Sequence, residues 1–499
     1  MTPLLPERAR PAPRRRAPVA VAAAAALLVL AGCADMGRVN APAQPRTAAE
    51  VGLPAAGAAP AVFVDSQWWR AFGDPQLDRL VDQALQGNPS LQAARARLDK
   101  AEAAVSVARS ADLPQIKGDL QLNRSLYSEN YIYPDPLGGS IQNSGLLQLG
   151  AGWELDFFGK NRAAIEAAVG NVRAAQADAE AARVLLASNV ARSYVQWARL
   201  AAQRAVAERT LAQREETLRL VRDRVTAGLD TRLELRQSEG GLPEARQQVE
   251  ALNEQIAITQ HALDALVARP AMAESMAAPA LASIRPIPVQ PVLPADLLGR
   301  RADIAAARWR AEAATHDVDY ARKQFYPNVN LTAFVGLQSL GFDQLLKSGS
   351  LQWGVGPAIS LPIFEGGRLR ANLRAKAADR DAAVESYNAA VFDAVRDVAD
   401  QVTSIQSIAR QQAQQRQAQE AAEGAYQIAV QRYGAGLGNY LNVLTAETAV
   451  LAQRRQAVDL AARALDTQVA LARALGGGWQ DDTETRQAAA PAGAAASTH

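Results

Sequence analysis

The residues that build most catalytic and metal centres are scarce in this sequence. It contains a single cysteine, Cys33, and three widely separated histidines, His261, His316 and His499. There is no HExxH, no CxxC and no Walker-type glycine loop, so the usual zinc, redox and phosphate sites are missing. One cysteine excludes an intramolecular disulfide. Aromatic residues make up only 5% of a chain that is 49% hydrophobic, and much of that apolar content is alanine, whose small side chain suits close helix contacts. The net charge of +2, with no basic stripe interleaved with aromatics, gives nucleic acid no foothold. Proline is absent from 160–227 and again from 363–490, so neither stretch carries an obligatory helix break.

What is present is one unit used twice. The stretch Leu351 to Lys376 changes period in mid-course: Leu351, Trp353, Val355, Ile359 and Leu361 alternate with Gln352, Gly354, Gly356, Ala358 and Ser360, and after Pro362, Gly366 and Gly367 the pattern turns helical. The same join occurs at Leu147 to Ala168. Leu155, Phe158 and Arg162 match Leu361, Phe364 and Arg368 at an offset of 206, which makes Phe158, Arg162, Phe364 and Arg368 the strand-to-helix junctions. Leu113 to Ile116 resembles Tyr326 to Val329, and Arg224 to Leu229 resembles Arg432 to Leu437.

Alternation predicts four strands, over about 114–127, 146–157, 328–337 and 351–361, each near the ten residues that a tilted strand needs to cross a bilayer. In the first, Ile116, Leu120, Leu122 and Leu126 share a face with only Arg124 as a polar intruder; the other face is wholly polar. A loop is expected over Ser128 to Ser144. Alternation alone equally fits a soluble sandwich with one buried face. Trp153 and Trp353 on the apolar faces, and the lack of further strands, favour a membrane barrel with aromatics at its interfaces. Four strands cannot close such a barrel, so several copies must pool theirs around a hydrated lumen.

Between the strand pairs lie proline-free helical segments, 160–227 and 368–435, that span roughly 100 Å at about 1.5 Å per residue. Each ends at a glycine turn (Gly228; Gly434 and Gly436) and returns, giving hairpins at about 160–268 and 367–475. The first return segment carries Gly240, Gly241 and Pro243, where the second has Thr448, Ala449 and Leu451, and is expected to weaken or bend there.

The N-terminus reads as a secretory signal: Arg14 to Arg16, an apolar run of twelve residues from Val19 to Leu30, then Leu30-Ala31-Gly32-Cys33. The apolar run is shorter than the about 20 residues of a spanning helix. The ending resembles a bacterial lipobox, which implies removal of 1–32, an acyl chain on Cys33 as the only covalent addition and no other cofactor. Ala34 does not match the aspartate that retains such lipoproteins at the inner membrane. Asn40 to Ala61, rich in Ala, Pro and Gly, reads as a tether.

The duplication, the Asp74-Pro75-x-Leu77 opening, Leu293 to Leu298 followed by Arg301-Ala302-Asp303-Ile304, both RxxxGL turns and the closing Ala474 to Trp479 together resemble the TolC/NodT type of outer-membrane efflux factor. The resemblance covers nearly all of the mature chain. It implies a mostly α fold with a β-barrel membrane part: a homotrimer whose four strands per subunit form a twelve-stranded barrel among the outer-membrane lipids, with a helical tunnel across the periplasm. The domain scheme is then 1–32 signal, 33–66 lipid-anchored linker, 67–285 first repeat, 286–479 second repeat and 480–499 tail. The implied function is a passive exit duct for drugs or toxic compounds rather than an enzyme. The implied partners are a periplasmic adaptor and an inner-membrane transporter, most often of the resistance-nodulation-division class, with no nucleic acid.

By the same resemblance the turns carrying Arg224, Gly228 and Leu229 and Arg432, Gly436 and Leu437 meet the adaptor, although glycine is also the ordinary end of a helix. A gate lies nearby, ringed in the family by acidic residues. Here the matching positions are Asn442 and Thr445, with Glu234 at the place of Asn442 in the first copy, so a weaker negative ring is expected. Ducts for type I protein secretion or metal efflux belong to the same family. Metal efflux gains nothing from a chain whose methionines beyond the signal are Met36, Met272 and Met276. A non-conducting structural lipoprotein is the rival from another class, and the polar strand faces argue against it.

Overall fold

In the computed structural model, residues 36, 41–53, 64–287 and 297–479 are described. The signal segment, Cys33 and the tail lie outside them. The chain divides into two compact units: Met1–Pro42, Ala104–Val169 and Glu312–Ala382 form one, and Ala43–Ala103, Gly170–Ala311 and Ala383–His499 the other.

After a short turn of 3-10 helix at Trp68–Phe72 come α1 (Pro75–Gly87), α2 (Pro89–Ser110), β1 (Gln115–Leu126), β2 (Ile141–Leu155), α3 (Lys160–Thr226) and α4 (Arg232–Val267). The second copy repeats the order with α5 (Leu297–Arg300), α6 (Ala302–Lys323), β3 (Asn328–Leu340), β4 (Leu351–Ser360), α7 (Arg368–Gly434) and α8 (Tyr440–Ala474). Helices α3 and α7 have 67 residues each, about 100 Å of helix.

The first unit holds one antiparallel sheet in the order β1-β2-β3-β4. Its register aligns the apolar positions of all four strands, because directly opposed residues point to the same side. Gly118, Leu149, Val335 and Trp353 form one cross-strand row, and Leu120, Leu147, Leu337 and Leu351 the next. This face is open: Ile116, Leu120, Leu126, Leu149, Val355 and Ile359 are all exposed, and Trp353 is 72% exposed. The opposite face carries Lys117, Asp119, Gln148, Gln352 and Thr332, with one ring, Phe334, lying over Gly354, where an added Cβ would come within 2.6 Å of it. Strand β2 begins at Ile141 rather than near 146. Gln142, Asn143 and Ser144 break the apolar alternation, yet their backbones pair with Ser125, Arg124 and Asn123, which shortens the expected 128–144 loop. Arg124, the one polar residue on the apolar face of β1, is thereby paired with Asn143. Among the described residues, strands β1 and β4 each lack a second neighbour.

The second unit is centred on Trp69, Phe72, Leu77, Leu80, Tyr194, Trp197, Leu200 and Leu263, all of them almost wholly buried. Asp74 caps α1 by accepting from the Gln76 amide at 2.9 Å, and its other oxygen accepts from the Tyr194 hydroxyl at 2.7 Å. The closing glycines work by close approach: Gly476, Gly477 and Gly478 all have positive φ, and a Cβ at Gly476 would sit 1.8 Å from the Arg300 carbonyl. One expectation is corrected here. The tether is partly packed, since Val51 and Leu53 are buried in this core and Asn388 holds the chain at Gln44 and Arg46. Helix α4 is a single element from Arg232 to Val267 and includes Gly240, Gly241 and Pro243. Arg214 of α3 braces it there, donating to the Gly241 carbonyl at 2.8 Å and to Glu244 at 3.0 Å, while a third bond at 3.1 Å reaches Glu447 of α8.

Candidate functional site: the paired helical turns

The turns that close the two hairpins have the same backbone. In the first, the Leu229 amide donates to the Arg224 carbonyl at 2.8 Å and Gly228 to Val225 at 3.0 Å; in the second, Leu437 donates to Arg432 at 2.8 Å and Gly436 to Tyr433 at 3.0 Å. This is the six-to-one and five-to-two pattern of a Schellman motif, with glycine at the left-handed position: φ is 78° at Gly228 and 75° at Gly436. The glycine in RxxxGL is thus set by the helix stop. The leucine is not. In such motifs this residue commonly folds back onto the last helical turn, but Leu229 is 65% and Leu437 70% exposed. Leu233 and Leu441, at the start of the return helices, are also exposed, so the two turns present four unpartnered leucines.

Beneath them the turns are locked by contacts between the copies. The Arg224 Nε donates to Asp230 Oδ2 at 2.9 Å and its Nη2 to Oδ1 at 3.3 Å, and the Tyr433 hydroxyl donates to the same Oδ2. The Arg224 guanidinium also lies 4.6 Å from the centroid of the Tyr433 ring. Tyr433 is 1% exposed and packs with Val221, Tyr440 and Val443. The Arg224 hydrogen bonds hold the Asp230 carboxyl below its ordinary value, and burial pushes the Tyr433 phenol up. Arg432, at the matching position of the second copy, is exposed and, among the described residues, its side chain reaches only the Leu437 carbonyl, at 3.3 Å. Equal sequence positions therefore do different work.

Each gate candidate is tied to its own helix end. Glu234 closes a capping box with Thr231, and that hydrogen bond lowers its pKa. The Asn442 amide donates to the Asn439 cap at 3.1 Å, and the Thr445 hydroxyl donates back to the Leu441 carbonyl at 2.8 Å. At the strand-to-helix junctions, in the other unit, the copies also differ. Phe158 stacks on Tyr326 with centroids 5.2 Å apart, and the Arg162 amide donates to Asp156 at 2.9 Å. Phe364 is exposed and Arg368 pairs with Glu365 at 2.8 Å. Asp230 and Tyr433 were not visible as site residues in the sequence. The signal was there, however, because they fall where the two turn motifs differ, opposite Gly438 and Val225.

A sheet with one open apolar face, joined in sequence to two very long helical hairpins, defines a protein that gives strands to a membrane barrel and helices to a duct. Comparison with known families matches residues 80–269 and 293–477 to "Outer membrane efflux protein", and the chain belongs to that family. It is 39% identical over 372 residues to the fusaric acid resistance protein FusA of Burkholderia cepacia, covering 73% of this chain and 70% of that one. It is 34% identical over 473 residues to the multidrug resistance outer membrane protein MdtQ of Escherichia coli, covering 92% and 98%. Among solved structures it is similar to the outer membrane protein VceC of Vibrio cholerae, with a TM-score of 0.79, 37% identity, and coverage of 84% of this chain and 100% of that one. The chain is an outer-membrane exit duct of an efflux system, not an enzyme, and works with other components of that system.

Proposed function

We propose that three copies close a twelve-stranded barrel and that the assembly passes small toxic compounds outward from a periplasmic adaptor and an inner-membrane transporter of the resistance-nodulation-division class. The observation that carries this reading is the sheet: its apolar face is continuous across four strands and largely exposed, and among the described residues each edge strand has a neighbour on one side alone. In lipid such edges must be paired, and the β4 edge of one copy meeting the β1 edge of the next satisfies both. The relatives named for fusaric acid and multidrug resistance support small molecules as cargo. The four exposed leucines of the turns suit apolar docking of the adaptor. Cys33 carries the acyl anchor; Met36, three residues on, packs against Val318, Phe325, Leu369 and Leu373 of the strand-bearing unit. The test is the oligomeric mass and planar-bilayer conductance of detergent-purified, acylated protein. A conducting trimer is expected; a non-conducting monomer would return the reading to a structural lipoprotein.

A further inference from the structure

The turn region holds almost no free negative charge. From Gly424 to Ala446, which includes the whole second turn, the sole charged residue is Arg432. It is exposed, and among the described residues its side chain hydrogen-bonds to a carbonyl alone. The first turn has carboxylates, but they are engaged. Asp230 is held by Arg224 and Tyr433, Glu234 by its capping box with Thr231, and Glu239 by Arg236 at 3.0 Å and Arg222 at 3.7 Å. Asp223 is exposed with no ion pair among the described residues, and two exposed arginines in the same condition, Arg219 and Arg232, more than offset it. Both turns therefore carry a small excess of positive charge. The first turn of α8, where the positive end of the helix dipole would welcome an acid, holds Asn442 instead, and Thr445 follows in the next turn.

Resting on the reading of this protein as a duct whose helical turns form its entrance, we infer that the entrance is selective for anions and that the natural cargo class is small organic anions. A constriction lined by a net positive field raises the local concentration of anions and depletes cations. Arg432 supplies the unpaired charge on the second turn, and the absence of acids at 442 and 445 leaves it unopposed. Cationic drugs, by contrast, meet a barrier that grows as ionic strength falls.

The experiment is the reversal potential of the purified full-length protein in planar bilayers under a KCl gradient, repeated with sodium benzoate and with tetramethylammonium chloride. It is run on the wild type and in a Tyr433→Ala background, which loosens the turns without changing charge, so that a closed resting state is not mistaken for a barrier to ions. Chloride is expected to permeate at least as well as potassium, and benzoate better than tetramethylammonium. Asn442→Asp with Thr445→Asp should raise the potassium-to-chloride permeability ratio by roughly three- to tenfold, and Arg432→Gln by a smaller factor in the same direction. A wild type that prefers potassium, or a ratio unmoved by the added aspartates, overturns the inference while leaving the duct intact. A trimer that conducts in neither background overturns the duct reading, and the inference with it.

Discussion

Replacing Asp230 by asparagine should loosen both helical turns at once, although only one of them carries the residue. The carboxylate receives two N–H bonds from Arg224, at 2.9 and 3.3 Å, and a hydroxyl bond from Tyr433. Removing one partner of a fully buried pair costs about 3–5 kcal/mol, and a hydrogen bond to a charged group contributes about 1.5–3 kcal/mol. Both side chains here keep 11% of their surface exposed, so water can take over part of the lost solvation and the lower figure applies. A cost of about 2 kcal/mol corresponds to a roughly 30-fold rise in the population of opened turns. Tyr433→Phe keeps the ring under Arg224 and loses one bond, so it should give about a tenfold rise. The double variant should fall short of the product, because both act on the same carboxylate. Amide hydrogen exchange reports this directly: residues 225–235 and 433–443 should exchange faster by these factors, while the strands stay unchanged. Equal exchange in wild type and Asp230→Asn would show that the contact is incidental. The pH dependence follows with its sign. Because the folded-state pKa of Asp230 is lowered, its contribution is complete above the ordinary aspartate value near 3.9 and fades only as pH drops through the lower folded value, so the turns should stay closed throughout mildly acidic conditions.

Gly336→Ala should abolish assembly, since a Cβ there would lie 2.4 Å from the Leu147 carbonyl and 2.8 Å from the Gln148 Cα within the β2–β3 ladder, whereas Gly152→Ala, which meets nothing within 4 Å, should assemble as wild type in native gels. Leu77→Ala should cost about 3–5 kcal/mol as a wholly buried core truncation, read as a lower denaturant midpoint of the helical unit. Cys33→Ala should eliminate incorporation of labelled palmitate, while the protein still reaches the membrane through its strands. Arg214→Ala should raise hydrogen exchange selectively around Gly240 to Pro243, because the brace on that part of α4 is gone; uniform protection of α4 would refute the bracing role.

The fold was legible in the sequence to the extent that period determines it. Strict alternation located the strands, and the register then showed the apolar positions of all four on one face, because a period of two leaves no freedom once the pairing is set. The start of β2 was not legible, since backbone pairing with β1 extends past the point where side chains alternate. Composition also misled over 41–53: alanine and proline suggest a tether, but two apolar residues, Val51 and Leu53, are enough to dock it. At the turns the repeated motif revealed the helix stops and the exposed leucines. It could not reveal the lock between Arg224, Asp230 and Tyr433, because that contact joins residues about 200 positions apart and exists only where the copies have diverged. Nor could it reveal that Arg224 and Arg432, at matching positions, have different partners within the chain.

The open sheet has a consequence for how the protein is made. A freshly exported copy carries an apolar face that water rejects and two bare strand edges that lipid rejects, so neither solvent of the envelope can host it alone. Folding of the strands, membrane entry and union with other copies must then be a single event. For a three-copy assembly the yield follows mass action steeply: halving the supply of chains can lower the formation of finished ducts by roughly eightfold when assembly is limiting. Modest changes in expression or export would act as an on-off control over efflux, with no regulatory site needed on the protein itself.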